Sequence, residues 1–192
     1  MYCNLLTNKL PQHTNSGLRI RTDFRESIKF ELLMQDRDIE DERKVKMILN
    51  LYYYRPEQIT NIKQALEEVV WFYTGGDKKE NTNTNINNNS NNKKQIYSYE
   101  FDAEYIYSAF MQQYKIDLNS IRYLHWWKFR ALFTNLNEDV LFSKIMQYRA
   151  IDLSSIKDKG MKKFYKKMKR LYALPDMRTE EEKEYDFGEA FS

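Results

Sequence analysis

Chain reversals in β-sandwiches, barrels and phosphate-cradling loops are built from glycine and proline, and this sequence has few of either: 5 Gly and 3 Pro in 192 residues. A sheet-rich domain needs a turn every 8–12 residues or so. Rossmann and P-loop sites need glycines where backbone approaches phosphate. Neither can be supplied here, and the breakers that exist sit far apart, at Pro11, Gly17, Pro56, Gly75-Gly76, Gly160, Pro175 and Gly188. The composition therefore predicts an all-α protein, a multi-helix bundle with few connections.

Apolar spacing places about seven helices. Asp23 can cap a first helix, with Glu26 positioned to reach back as in a capping box and Phe24, Ile28, Leu32 and Leu33 following. After a charged turn at 35–41, Val45, Ile48, Leu49 and Tyr52 trace one face of a second. Pro56 is expected to open the third, whose stripe is Ile59, Ile62, Leu66, Val69, Val70 and Tyr73, and Gly75-Gly76 to close it. Asp102, with Phe101 and Ile106 as a staple, starts a fourth helix burying Ile106, Ala109, Phe110 and Tyr114. The segment from Leu118 to Leu136 is apolar on more than one face and predicts a central helix. Asn137 caps a sixth carrying Leu141, Ile145 and Tyr148. A last helix runs from about Ser155 to Tyr172.

The organisation is an irregular segment over 1–21, a helical domain over 22–175, and an acidic tail over 176–192. Within the domain, residues 77–95 differ in kind: positions 81–92 hold eight asparagines. Such a stretch cannot bury enough apolar surface to offset its ordering entropy, so a disordered loop within one bundle is expected.

No chemistry is signalled. A single cysteine, Cys3, excludes an intramolecular disulfide and a cysteine-based zinc site. The two histidines, His13 and His125, lie far apart and form no metal-binding pair. No nucleophile elbow is present, and the carboxylates alternate with lysines as on solvated helix faces. We expect no enzymatic activity, no cofactor and no metal. No apolar run approaches the ~18 residues of a membrane span, and residues 1–10 do not read as a signal peptide. A membrane is therefore not an expected partner, and a reducing, cytoplasmic location is expected.

Two strings stand out. One is Leu124-His125-Trp126-Trp127-Lys128-Phe129-Arg130-Ala131-Leu132. Adjacent tryptophans on a helix point about 100° apart, so both cannot enter one narrow stripe. The string reads either as a helix packed on two sides or as a partner-binding face, since Trp, Tyr and Arg dominate binding hot spots. The other is charge segregation: residues 155–172 carry a net +7 and residues 176–192 a net −5. The basic helix is amphipathic, with Ile156, Phe164, Met168, Leu171 and Tyr172 as its apolar positions. It reads as a solvated helix with lysines over a core stripe, as a face for nucleic acid or anionic membrane, or as a helix screened by the acidic tail. The tail's opposite charge argues against nucleic acid as a partner.

Several of these residues together resemble one family. Asp23-Phe24-Arg25, Tyr105-Ile106-Tyr107-Ser108-Ala109-Phe110, Gln112-Gln113-Tyr114, Ile116-Asp117-Leu118, the His125-to-Arg130 string, Tyr148-Arg149 and Tyr172-Ala173-Leu174-Pro175 look like the bacteriophage gene-product-fifteen family, over roughly 22–175. The His-Trp-Trp-Lys-Phe-Arg string is the most specific of them. That family is encoded in phage tail-morphogenesis clusters between tail-tube and tape-measure genes. The resemblance implies a tail assembly chaperone that holds the tape-measure protein soluble in the host cytoplasm and is absent from the mature virion. Alternatives are a structural virion component, such as a tail completion or connector protein, and a nucleic-acid-binding regulator using the basic helix 157–170. The surfaces expected to bind the client, or a second copy of the chain, are Tyr105, Tyr107 and Phe110 on one helix and His125, Trp126, Trp127, Lys128 and Arg130 on another.

Overall fold

Asp23 begins the helical domain in the way its residue type favours. Its backbone is extended and its carboxylate accepts the Arg25 N–H at 3.1 Å, capping α1 (Phe24–Gln35). In the computed structural model, which describes residues 4–76 and 95–175, six further α-helices follow among the described residues. They are α2 (Asp41–Tyr52), α3 (Ile62–Tyr73), α4 (Ala103–Tyr114), α5 (Trp126–Thr134), α6 (Leu141–Ala150) and α7 (Lys159–Leu171). The described residues contain no strand, only isolated bridges such as Ile20 with Tyr53 and Asp23 with His125. The fold is all-α and multi-helix, as expected. The Asn-rich loop (bar Gln95), the acidic tail and Cys3 lie outside the described residues.

Helix α1 packs on α2 and α5, α2 on α3, α4 on α6, and α6 on α7. The core is aromatic, and Phe129 of α5 is its hub. Its fully buried ring stacks on Phe24 (4.8 Å between centroids), Phe110 (5.0 Å), Trp126 (5.6 Å) and Phe133 (5.9 Å). Such ring pairs add about 0.5–1.5 kcal/mol each beyond the area they bury. The irregular segment is built into this core: Ile20 is buried, and the Ser16 N–H and hydroxyl donate to the buried Glu68 carboxylate of α3 at 2.7 and 2.8 Å.

Several local expectations are corrected. Glu26 does not complete a capping box but pairs with Lys29 at 3.3 Å. Pro56 opens a single 3-10 turn (Pro56–Gln58), and α3 starts only at Ile62, capped by Asn61, whose side chain accepts the Gln64 N–H. On α3, Ile62 and Val70 face outward while Ala65, Glu68, Val69, Phe72 and Tyr73 face in. The Asp102 carboxylate makes no cap to α4, although it precedes the helix.

The largest correction concerns the expected helix over 118–136. Helix occupies only its second half, Trp126–Thr134. Lys115 takes a left-handed conformation (φ 55°) and ends α4, and Asp117 then accepts the N–H groups of Asn119 and Ser120 in a turn. The chain next runs alongside residues 22–24. Phe24 N–H donates to the Leu124 carbonyl at 2.9 Å, Trp126 N–H to the Thr22 carbonyl at 2.8 Å, and Leu124 N–H to Asp23 Oδ2 at 3.1 Å. Arg25 also donates to the Leu118 and Ile121 carbonyls. Partners about a hundred residues away satisfy the backbone that a helix would otherwise pair locally.

Candidate protein-interaction surface

The His125-to-Arg130 string serves the interior. His125 is the N-cap of α5: its Nδ1 accepts the Trp127 N–H at 3.1 Å, and Nε2 sits 3.1 Å from the Pro11 carbonyl oxygen. With Nδ1 accepting, Nε2 carries the proton and donates to Pro11. Burial holds this imidazole below its ordinary pKa, and the Lys128 charge adds to the effect against the Pro11 bond. The adjacent tryptophans split between two neighbouring acceptors. The Trp126 indole donates to the Tyr73 carbonyl at 2.8 Å and the Trp127 indole to the Phe72 carbonyl at 2.7 Å. These are C-terminal carbonyls of α3, past the end of its i→i+4 ladder; that of Phe72 also accepts the Gly75 N–H at 3.1 Å. The string thus closes one helix while starting another. Gly75 and Gly76, both at φ 83°, reverse the chain beside it, and a Cβ on Gly76 would lie 3.0 Å from the Trp127 ring.

Of the eight residues expected at a partner surface, Phe110, His125, Trp126 and Trp127 are buried. They cannot present a surface in this fold, because their rings are core and their polar atoms are committed to backbone. Arg130 is half-buried beside Gly75, Lys128 and Tyr107 are exposed, and Tyr105 is half-buried, 6.3 Å from the Tyr172 ring. The structure does not bring the eight together.

Among the described residues, α7 carries an open apolar edge. Asp158 caps the helix, accepting the Met161 N–H at 2.7 Å. None of its residues is buried. Positions 159–171 hold seven lysines and arginines and no acid. At 100° per residue, Tyr165 and Tyr172 lie on one edge of the apolar arc and Phe164 and Leu171 on the other, with Met161 and Met168 between. The first edge leans on α6: Tyr148 lies 6.1 Å from Tyr165 and stacks on Tyr172 at 6.0 Å. The second edge is uncovered on its solvent side: Phe164 and Leu171 are 48% and 64% exposed and the neighbouring Met161 54%, while the inner side of the Phe164 ring meets Tyr148 edge-on at 6.2 Å. Lys163 and Lys167, both exposed, continue the helix surface beyond that edge. The expectation that this stripe is core is therefore only half met.

What holds α7 in place was not legible as a site. Arg149 of α6, buried, donates to both oxygens of the buried Asp102 carboxylate at 2.6 and 2.8 Å. It also donates to the Ile96 carbonyl at 3.1 Å and to the Tyr172 carbonyl at 2.6 Å. One guanidinium thus ties the start of α4, residues 95–98, α6 and the end of α7. Arg149 belongs to the family-like Tyr148-Arg149 pair and Asp102 stands where a cap is expected; nothing in the sequence joins them.

Among the described residues no group of three or more His, Cys, Asp or Glu side chains could hold a metal ion, and no helix is long and apolar enough to cross a membrane. These features define an all-α protein with an exposed apolar edge on a basic amphipathic helix. The chain belongs to the bacteriophage Gp15 protein family, whose model matches residues 6–174. No curated protein and no solved structure matches it.

Proposed function

We infer that the chain is a phage tail assembly chaperone that binds the tape-measure protein before the tail tube polymerises. Family membership makes it a phage protein. The observation that carries the finer reading is the uncovered edge of α7. A solvated helix normally turns such residues inward, and an exposed apolar face rimmed by lysines suits transient capture of an amphipathic helical segment. Methionine there gives adaptable contact, which fits a client that presents many similar segments. Tyr105 meets Tyr172 on the opposite edge of the same helix, so it borders the proposed surface, with Tyr107 and Lys128 as outlying contacts.

Co-expression tests the reading. The soluble fraction of the tape-measure protein should rise several-fold with this chain and fall back with Phe164→Glu plus Leu171→Glu. A tape-measure protein equally insoluble with and without the chain refutes it. Mass spectrometry of purified virions separates this function from a structural one: a chaperone is depleted from finished particles, and a tail completion or connector protein is retained at stoichiometric amounts.

A further inference from the structure

The same face of α7 has a second candidate occupant within the sequence, whatever the client is. Residues 176–192 follow Pro175 directly, and they carry seven acids against two bases. Their apolar residues are Met177, Tyr185, Phe187, Ala190 and Phe191, interspersed with Glu180, Glu181, Glu182, Glu184, Asp186 and Glu189. That is the complement of α7, where Met161, Phe164 and Leu171 are exposed and positions 159–171 hold seven cations and no acid of their own, with Asp152 the nearby carboxylate acting on Lys162 and Lys169. We propose that residues 176–192 dock in cis on the uncovered edge of α7, with their aromatic side chains against Phe164, Met161 and Leu171 and their carboxylates paired with the lysines.

Length permits it. A 13-residue helix is about 20 Å long, and 17 residues extend up to about 58 Å. The segment can therefore turn after Pro175 and run back past Met161 with residues to spare. Tethering so close to the face sets a local concentration in the millimolar range, enough for a weak contact to be populated. The carboxylates meet a strongly cationic face that Asp152 offsets only in part, and several such pairs act together where a single exposed pair contributes little. Docking of this kind would cover the apolar edge until a client competes for it.

The test uses the full chain with Cys3→Ser, a nitroxide on Ala190→Cys, and 13C-methyl methionine. Docking predicts at least two-fold attenuation of the Met161 and Met168 methyl signals, with Met34 and Met47 on α1 and α2 unaffected. Replacing Glu180, Glu181, Glu182 and Glu184 with Gln, or adding 0.5 M salt, should restore those signals, because screening removes the pairing. Attenuation that persists unchanged in the Gln variant reflects mere tethering and overturns the proposal. So does absence of attenuation on α7. Attenuation in a mixture of spin-labelled chain and separate isotope-labelled chain would assign the contact to a second copy and overturn docking in cis. Unchanged Met34 and Met47 shifts in every variant show that the fold is intact.

Discussion

Replacing Arg149 with Met would remove a guanidinium while keeping most of its volume. What remains is the Asp102 carboxylate, 1% exposed in its side chain, with the Ser98 N–H at 2.9 Å as its remaining hydrogen-bond donor. The Ile96 and Tyr172 carbonyls also lose a donor. Removing one partner of a buried ion pair costs about 3–5 kcal/mol, most of it the penalty for the stranded charge. With a urea m-value of about 2.5 kcal/mol/M for a chain of this size, the unfolding midpoint should fall by about 1.2–2 M. Circular dichroism and the fluorescence of the buried Trp126 and Trp127 should report the same transition. Asp102→Asn strands the cation instead and should cost a similar amount. Its amide oxygen can still accept from Ser98, so the double variant carries no buried charge and should recover about 1–3 kcal/mol relative to additive loss. Because Arg149 also holds the Tyr172 carbonyl, α7 amides should lose exchange protection at least as much as α1 amides do. A single-variant loss below about 1 kcal/mol, or singles that simply add, would show that the pair is not a coupled, buried anchor.

Three further outcomes follow from the core. Glu31 is buried and accepts from the Tyr73 hydroxyl; burial raises its pKa above 4.5 against the bonds from Tyr73 and Gln35. A raised carboxyl pKa contributes stability that is complete below the unfolded value and is lost as pH rises through the folded one. Glu31→Gln, which has no such titration, should therefore gain on the wild type between pH 4 and 7 in urea titrations, and a flat or opposite trend contradicts the assignment. Phe129→Ala should cost about 3–5 kcal/mol because four rings lose their stacking partner, whereas Phe164→Ala, which loses edge contacts with Tyr148 and Tyr165 on a half-exposed ring, should cost about 1 kcal/mol; paired thermal melts compare them. Gly76→Ala should cost about 2 kcal/mol in the same melts, because its φ is positive and a Cβ there would press on the Trp127 ring, which is pinned by its bond to Phe72.

Where local patterns decide, the sequence was a good guide. Asp23 caps the helix it precedes, Gly75-Gly76 closes α3, and the inward residues Ile106, Ala109 and Phe110 of α4 follow from spacing alone; the last helix starts later than expected, at Lys159 behind its cap Asp158. Reading failed where long-range contacts override local ones. Residues 118–125 look helical because they are apolar and free of breakers, yet their backbone pairs with residues 22–25, and no local pattern encodes that. Phe129 becomes the hub because four rings from α1, α4 and α5 converge on it, which the spacing within 118–136 does not single out. The His-Trp-Trp string carried the right family and the wrong location: the residue types that make hot spots also make cores, and only burial separates them. The uncovered half of α7 was hidden for a related reason, since amphipathicity reports that a helix has an apolar side and not whether anything covers it.

The scarcity of glycine and proline, with helical spacing between the few breakers, determined by itself that this protein is all-α and roughly where its helices stop. Turn chemistry and apolar period act over a few residues, and a sequence displays them directly. Only the tertiary structure decided that the tryptophans cap α3 from inside, that Arg149 and Asp102 meet across 47 positions, and that α7 offers its apolar edge to solvent. Those outcomes depend on which distant groups satisfy each buried polar atom and which surfaces remain after packing, and both are properties of the whole chain.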